Sequence, residues 1–131
     1  MKMTRVYVAG VLCCLSLLGY AQTEVFAPIK EALKTGSAKE LVKHFNASVD
    51  IDLDGDERTY SKAQAELVMR DFFKKHAVSD FNIVHNGSSK DHGLKFAIGR
   101  YESAGESYNV LIRVKEVDNV HLIHEIKFRK E

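Results

Sequence analysis

The chain has 131 residues, with 19 lysine and arginine residues against 18 aspartate and glutamate residues, and a formal net charge of +1. A balance this close to neutral gives no electrostatic reason to expect nucleic acid or an anionic membrane as a partner. Both cysteines, Cys13 and Cys14, lie near the N-terminus, so residues 22–131 have no cysteine for a disulfide.

The N-terminal segment has the layout of a secretory signal peptide. Residues 1–5 are a basic start, residues 6–18 are apolar, and Gly19-Tyr20-Ala21 places small residues where a signal peptidase reads. We expect cleavage after Ala21 and export of residues 22–131 as one domain, to the periplasm or beyond. Loss of the two basic residues of this segment leaves a net charge near −1. An uncleaved anchor is the alternative, although a membrane span needs roughly 20 apolar residues.

Two helices are predicted at the start of the domain. The first has an N-cap at Thr23, becomes regular near Pro28 and ends at Gly36. Ser37 and Glu40 then form a capping box for a short second helix.

A strand and a long helix follow. Residues 49–54 alternate between apolar and acidic side chains, which predicts a half-buried strand, and Gly55-Asp56 turn the chain. Ser61-Lys62-Ala63-Gln64 is a second capping box, and it opens the longest helix, over residues 62–76. The apolar stripe of this helix is wide enough to lie across a sheet.

The period of the apolar residues changes from 3.6 to 2 after Asp80, which predicts four further strands. This order of elements predicts an α+β fold, with the helices packed on one face of a curved, mainly antiparallel sheet. The strands are marked by Phe81-Ile83-His85, Leu94-Phe96-Ile98, Val110-Ile112-Val114 and Leu122-Ile126-Phe128.

The apolar rows also predict a register. A two-residue turn at Asp118-Asn119 would send the apolar rows of the last two strands to opposite faces of the sheet. We therefore expect an odd loop length, which places Ile112 opposite His124. The preceding hairpin, treated the same way with a three-residue loop, pairs Arg100 with Tyr108.

The predicted core face then holds three polar residues, Arg100, Tyr108 and His124, and buried polar groups need partners. The functional interpretation is a ligand pocket between sheet and helices, with Arg100 and Tyr108 near its mouth, His124 deeper, and His85 on its rim. The alternative is that Arg100 and Tyr108 reach water at the sheet end, while His124 bonds to the backbone. The segment 85–89 would then be only a turn.

No metal, cofactor or catalytic residue is predicted. The motif Asp50-x-Asp52-x-Asp54-Gly55-Asp56 resembles the opening of a calcium loop, but Ser61 stands where that loop needs a bidentate glutamate. We interpret the aspartates as an exposed strand face. In His121-x-x-His124, the two side chains point to opposite faces of a strand, which argues against zinc. The sequence has no recognisable nucleophile, phosphate-loop or dinucleotide motif.

Several short runs together resemble one family, the small exported bacterial proteins of unknown function in the nuclear transport factor 2-like (cystatin-like) superfamily. The resemblance covers nearly all of residues 22–131. It implies a cone with a pocket between curved sheet and helices, in a superfamily of dehydratases, isomerases, hydrolases and non-enzymatic binding or dimerisation modules. The pocket aspartate that serves its isomerases as a base has no equivalent here. The runs are Tyr60-Ser61-Lys62-Ala63-Gln64-Ala65, Phe72-Phe73, Phe81, His85-Asn86-Gly87, Phe96-Ala97-Ile98-Gly99 and Tyr108-Asn109-Val110.

Three functions remain open at this point. The first is an exported, non-enzymatic module that binds a small ligand or a partner segment in the cone. The second is an enzyme for a small apolar substrate, with His124 as acid–base and Arg100 or Tyr108 polarising an oxygen. A cone filled by its own aromatic side chains would remove both. The third is a homodimer through an outer sheet face that carries Ala97, Gly99, Tyr101, Leu111 and Ile123.

Overall fold

The computed structural model describes residues 24–89 and 93–131. The predicted signal peptide, its cleavage site and the predicted N-cap at Thr23 lie outside the described residues. Within the described ranges, no helix combines the length and the apolar character that crossing a membrane requires.

The described residues form an α+β fold with helices on one face of a six-stranded sheet. The strand order is β2-β1-β6-β5-β4-β3, and every neighbouring pair is antiparallel except β1 and β6, which are parallel. The predicted fold class is therefore confirmed. The elements are α1 (Ala27–Thr35), α2 (Ala38–Val42), β1 (Phe45–Leu53), β2 (Asp56–Ser61), α3 (Lys62–Lys75), β3 (Asp80–Ser88), β4 (Leu94–Ser103), β5 (Glu106–Val117) and β6 (Val120–Lys130).

The first two helices begin and end at residues that the sequence indicated. Pro28 lies in the first turn of α1, where its missing N–H costs least, and Gly36 ends that helix with a φ of 65°. The Ser37 hydroxyl accepts a hydrogen bond from the Glu40 amide at 3.1 Å, which caps α2. The Glu40 carboxylate instead pairs with Lys43 at 3.0 Å.

The third helix carries the full capping box that was predicted for it. The Ser61 hydroxyl accepts from the Gln64 amide at 3.3 Å, and the Ser61 amide donates to the Gln64 side chain at 3.2 Å. One stripe of the helix is buried against the sheet, which fixes its orientation: Ala65, Met69, Phe72 and Phe73.

The hairpin of β1 and β2 was only half predicted. The strand β1 is longer than expected, and β2 was missed because it contains no apolar alternation and is exposed along nearly all its length. Asp54 and Gly55 connect the two strands, with φ values of 52° and 99°. Two consecutive positive φ angles are typical of the two-residue turns that match the twist of a hairpin, and Asp-Gly is a preferred pair there.

The predicted odd length of the loop between β5 and β6 is wrong. The hairpin does contain one extra residue, but this residue lies in a strand and not in the loop. Asp118-Asn119 is a two-residue turn, with φ values of 50° and 65°. The extra residue is His124, which forms a β-bulge because Arg113 pairs with Glu125 while Val114 pairs with Ile123. Ile112 consequently pairs with Ile126 and not with His124. The bulge keeps the buried residues of both halves of β6 on the helix-facing side.

The predicted face of β4 is wrong for a related reason. Its connection to β5 is a two-residue turn, Ala104-Gly105, and not a three-residue loop. Tyr108 therefore pairs with Tyr101, and Arg100 pairs with Asn109. A shift of one residue turns every side chain of a strand to the other face. Three residues of β4 predicted for the core consequently lie on the outer face and are only partly buried: Leu94, Phe96 and Ile98. Leu122 of β6, also predicted for the core, pairs with Lys115 and is likewise only partly buried.

Aromatic side chains fill the space between the sheet and the helices. The ring of Phe72 from α3 lies 4.6 Å from that of Phe128, 5.6 Å from that of Tyr101 and 5.7 Å from that of Tyr108, measured between centroids. All four side chains are buried. Both ligand hypotheses placed their ligand in this space, where these four rings pack against one another.

Candidate functional site

A groove lies on the outer face of the sheet, the side opposite the aromatic core. Its volume is about 550 Å³. We call it the outer groove; it is lined by Ser89, Leu94, Lys95, Phe96, Ile98, Leu111, Arg113, Val114 and His124. Apolar residues of β4 and β5 therefore form its floor, and polar residues stand around them.

The ring of Phe96 is held in the floor by its neighbours on β3. Gly87 pairs with Phe96 across the strands, and a Cβ at Gly87 would lie 2.9 Å from Cε1 of that ring. The missing side chain gives the ring the space it occupies. The exposed ring of His85 lies 5.7 Å from that of Phe96, between centroids. A bulge between Ile83 and His85 brings His85 to this face.

His124 lies at the wall of the outer groove, and its position follows from the bulge. Its predicted place on the helix-facing side is wrong, because the extra residue in β6 puts it on the outer face. Its Nδ1 atom is buried and has no hydrogen-bond partner among residues 24–89 and 93–131. A buried polar atom without a partner costs free energy, so a native structure that contains one calls for an explanation.

Charges of both signs lie beside His124. Arg113 lines the groove, and its Nε atom is 3.3 Å from Oε1 of Glu125, the residue after His124. The Glu125 side chain is only 15% exposed, whereas that of Arg113 is 55% exposed. The guanidinium offsets the charge of this partly buried carboxylate.

A carboxylate cluster continues from Glu125 across the sheet. Oxygen atoms of Asp50, Glu57 and Glu125 lie within 4.8 Å of one another, close enough to share a cation. Asp50 also accepts a hydrogen bond from the Thr59 hydroxyl at 2.6 Å. Like charges this close repel, and the nearby guanidinium of Arg113 offsets part of that repulsion.

The aspartates of the calcium-like motif mostly hold the β1–β2 hairpin together. The buried Asp52 carboxylate accepts from the Gly55 amide at 2.7 Å and from the Arg129 side chain at 3.3 Å. Asp54 accepts from the Lys130 amide at 3.2 Å. These bonds tie the turn to the last strand.

Arg100 and Tyr108 do not line the groove, and their surroundings differ. Arg100 is exposed, so its predicted position on the core face is wrong, and it pairs with Glu131 at 3.0 Å and Glu102 at 3.5 Å. Tyr108 is buried on the helix-facing side, as predicted. The proposed set of His124, Arg100 and Tyr108 around one substrate is therefore not formed.

Tyr108 and Tyr101 both attach the sheet to the end of α3. The Tyr108 hydroxyl lies 3.2 Å from Nδ1 of His76, and the Tyr101 hydroxyl donates to the His76 carbonyl oxygen. The Tyr108 hydroxyl also donates to Glu106 at 3.3 Å. Burial raises the pKa of both tyrosines, and the negative charge of Glu106 raises that of Tyr108 further. These polar groups fix a helix end.

Comparison with known proteins identifies the family. A family profile described as "Domain of unknown function (DUF4783)" matches residues 26–129. The chain belongs to the DUF4783 family. A crystal structure of a DUF4783 protein from Bacteroides ovatus is 32% identical, with a TM-score of 0.76 over 80% of this chain and 94% of that one. A DUF4783 protein from Bacteroides uniformis is 30% identical, with a TM-score of 0.75 over 79% and 94%.

More distant structures share the fold and carry no known function. An NTF2-like protein of unknown function from Shewanella baltica is 11% identical, with a TM-score of 0.63 over 82% of this chain and 89% of that one. The predicted resemblance to the nuclear transport factor 2-like superfamily is thereby confirmed as a likeness of fold. No curated protein matches the chain.

Sequence reasoning missed most of the groove in this DUF4783 chain. Of the four predicted site residues, His124 lines the groove, and the ring of His85 lies tilted beside that of Phe96 in its floor. Arg113 and Glu125 were not singled out, although both flank the bulge. The available signal was the conflict between a two-residue turn and the apolar rows, because that conflict requires an irregularity somewhere in the hairpin.

Proposed function

We propose that this DUF4783 chain is an exported, non-enzymatic module that binds a small, largely apolar molecule in the outer groove. The observation that carries the proposal is the partly exposed apolar floor that Phe96, Ile98 and Leu111 form in the groove. A ligand with an apolar body would remove this floor from water, which favours binding.

The size and lining of the groove support a small-molecule ligand. Binding sites for small molecules commonly enclose about 300–1,000 Å³ and combine an apolar lining with a few polar groups. The outer groove, at about 550 Å³, has this composition. The side chains packed between the sheet and the helices are buried, whereas Phe96, Ile98 and Leu111 are partly exposed, which favours the outer face as the place for a ligand.

A titration with octan-1-ol tests the proposal. Backbone amide shifts of the mature chain should change at Phe96, Leu111 and His124 and saturate with added octan-1-ol. Leu111→Ser should weaken the interaction, because it removes an apolar part of the floor. Leu67→Ser, at a leucine 61% exposed on α3, is the matched control and should leave binding unchanged. The absence of saturable shifts in the groove would disprove the proposed site.

Export rests on the N-terminal sequence alone. Production of the full chain in a bacterial host, followed by mass spectrometry of the periplasmic fraction, should give a protein that begins at Gln22. A full-length protein retained in the membrane fraction would favour the anchor instead.

A homodimer through the same outer face is the second candidate. Phe96, Ile98 and Leu111 are only partly buried on this face, and apolar residues grouped on a surface favour association. Of the residues first predicted for such an interface, only Leu111 lies on the outer face, while Ala97, Gly99, Tyr101 and Ile123 are buried on the helix-facing side. Light scattering at high concentration decides between monomer and dimer.

A further inference from the structure

We infer that a second pocket, between α2 and α3, binds a phosphate group. Its volume is about 300 Å³, and it shares no lining residue with the outer groove. We call it the basic pocket, because its lining includes Lys39, Arg70 and Lys74 and no acidic residue. The ring-bearing residue Phe73 lies among them. The pocket therefore combines three positive charges with a small apolar surface.

The turn at Gly36 and the packing of α2 against α3 bring the three cationic residues to one place. Gly36 has a φ of 65°, and a Cβ there would lie 3.9 Å from Cγ of Phe73, so the turn lies close against α3. Arg70 and Lys74 are four residues apart and therefore share one face of α3. Lys39 lines the same pocket from α2.

The two lysines of the basic pocket have no ion-pair partner in the part of the chain that the structure describes. Carboxylates on the same two helices pair with other lysines: Glu40 with Lys43 at 3.0 Å, and Asp71 with Lys75 at 3.1 Å. Lys39 and Lys74 are both exposed, so water solvates them in the absence of a ligand. Like charges around one pocket repel, and an anion placed between them relieves that repulsion.

Arg70 keeps donors for a ligand although it already has a partner. Its Nη2 atom lies 2.7 Å from Oε2 of Glu66, and its side chain is 49% exposed. A guanidinium carries five N–H donors, so most of them remain available. A phosphate group offers more acceptor oxygens than a carboxylate and up to two negative charges. It can therefore accept from the arginine and from both lysines at the same time.

The distribution of charge also favours an anion on this side of the molecule. The whole chain is nearly neutral, but α1, α2 and α3 together contain seven basic residues and four acidic ones. The β1–β2 hairpin, over residues 45–61, contains five acidic residues and one basic residue. An anion is consequently drawn towards the helices and repelled by the hairpin.

A titration with inorganic phosphate tests the inference. Backbone amide signals of Gly36, Lys39 and Lys74 in the mature chain should shift and saturate. Because the cations are exposed, we expect a dissociation constant of about 1–10 mM. Sodium chloride at the same ionic strength should not reproduce the shifts. Absence of saturable shifts, or equal shifts with chloride, would overturn the inference.

A pair of double variants separates the pocket from net charge. Lys39→Gln with Lys74→Gln should raise the dissociation constant about tenfold, because two charged donors are lost. Lys62→Gln with Lys115→Gln is the matched control: it removes the same charge at two exposed lysines that do not line the pocket. All four side chains are exposed, so circular dichroism should show an unchanged fold. Equal weakening in both double variants would mean that net charge determines binding, and would overturn the inference.

Vesicles distinguish two sources of the phosphate group. The mature chain is sedimented with vesicles of phosphatidylglycerol and phosphatidylcholine. Co-sedimentation that the Lys39→Gln, Lys74→Gln variant loses would assign the phosphate to a lipid head group. Saturable shifts with inorganic phosphate, without co-sedimentation, would assign it to a soluble phosphate compound. Co-sedimentation that the variant retains, without shifts by phosphate, would overturn the inference. The octan-1-ol titration of the outer groove is unaffected by any of these results, because the two pockets have no residue in common.

Discussion

The two faces of the sheet are built from the same strands but differ in how closely their side chains are packed. On the helix-facing side, Phe72, Tyr101 and Phe128 fill the space with close aromatic contacts. On the outer side, Phe96 and Leu111 remain partly open around a groove of about 550 Å³. Both faces of the sheet therefore carry large apolar residues. The helix-facing side is a core because helices cover it.

Removal of the bulge at His124 should destabilise the fold more than any other change considered below. Deletion of His124 would leave the β5–β6 turn unchanged and send Ile126 and Phe128 to the outer face, or push Ile123 out instead. We expect loss of the cooperative fold, measured by circular dichroism and urea unfolding.

His124→Ala is the control for that deletion, because it keeps the extra residue and should keep the fold. Insertion of one residue at Asp118-Asn119 should partly rescue the deletion, since it restores the alternation in another way. A deletion variant with the urea midpoint of the unmodified chain would contradict the role of the bulge.

The contrast between the faces predicts unequal costs for two phenylalanines. Phe128→Ala should lower the free energy of unfolding by about 3–5 kcal/mol, because the ring is fully buried and its loss leaves a cavity. Phe96→Ala should cost less than half as much and should abolish octan-1-ol binding. Urea unfolding and amide shifts measure the two effects; equal losses of stability would mean that Phe96 is part of the core.

The buried aspartate of the β1–β2 hairpin gives a smaller effect. Asp52→Ala removes the acceptor of the Gly55 amide and of Arg129, and should cost about 1–2 kcal/mol in urea unfolding. Asp56→Ala is the matched control, since its carboxylate pairs with Arg58 on the surface, and it should leave stability unchanged within error. A similar loss in both variants would mean that the bonds of Asp52 are not responsible.

Alkaline pH should lower the free energy of unfolding by a small amount through the buried tyrosines of the helix-facing side. Burial raises the pKa of Tyr101 above its value of about 10 in the unfolded chain, so the folded state keeps the hydroxyl proton when the unfolded state loses it. The stabilisation is complete below about pH 10 and declines as the pH rises further, by up to about 1.4 kcal/mol per unit.

Urea unfolding between pH 8 and 11 measures this decline. Tyr101→Phe should reduce its slope, with Tyr108 left in place as the second buried hydroxyl. A slope unchanged by the substitution would show that the titration of Tyr101 is not coupled to folding.

The helices were predictable because their limits are set by local chemistry. Pro28, Gly36, Ser37 and the Ser61–Gln64 capping box act within a few residues, and the structure places them as expected. The presence of β3 to β6 was equally clear from the apolar alternation of their sequences.

The faces of the strands were harder to predict, and the site depended on them. In β4, apolar side chains occupy both parities, Phe96 and Ile98 on one face and Ala97 and Tyr101 on the other, so alternation cannot choose the buried one. Only pairing with β5 decides it. The position of a bulge is likewise set by packing across strands, which is why His124 was predicted on the wrong face.

The pairing of β1 with β6 has a consequence for how the chain folds. Ile51 lies beside Ile126, so β1 pairs on one side with its neighbour β2 and on the other side with β6, the last strand of the chain. The sheet is complete only when nearly the entire domain is ordered. The conformational entropy of the chain between β1 and β6 is therefore lost before their contact forms. Assembly is therefore expected to be slow for a domain of this size, with the β1–β2 hairpin among the last pieces to dock.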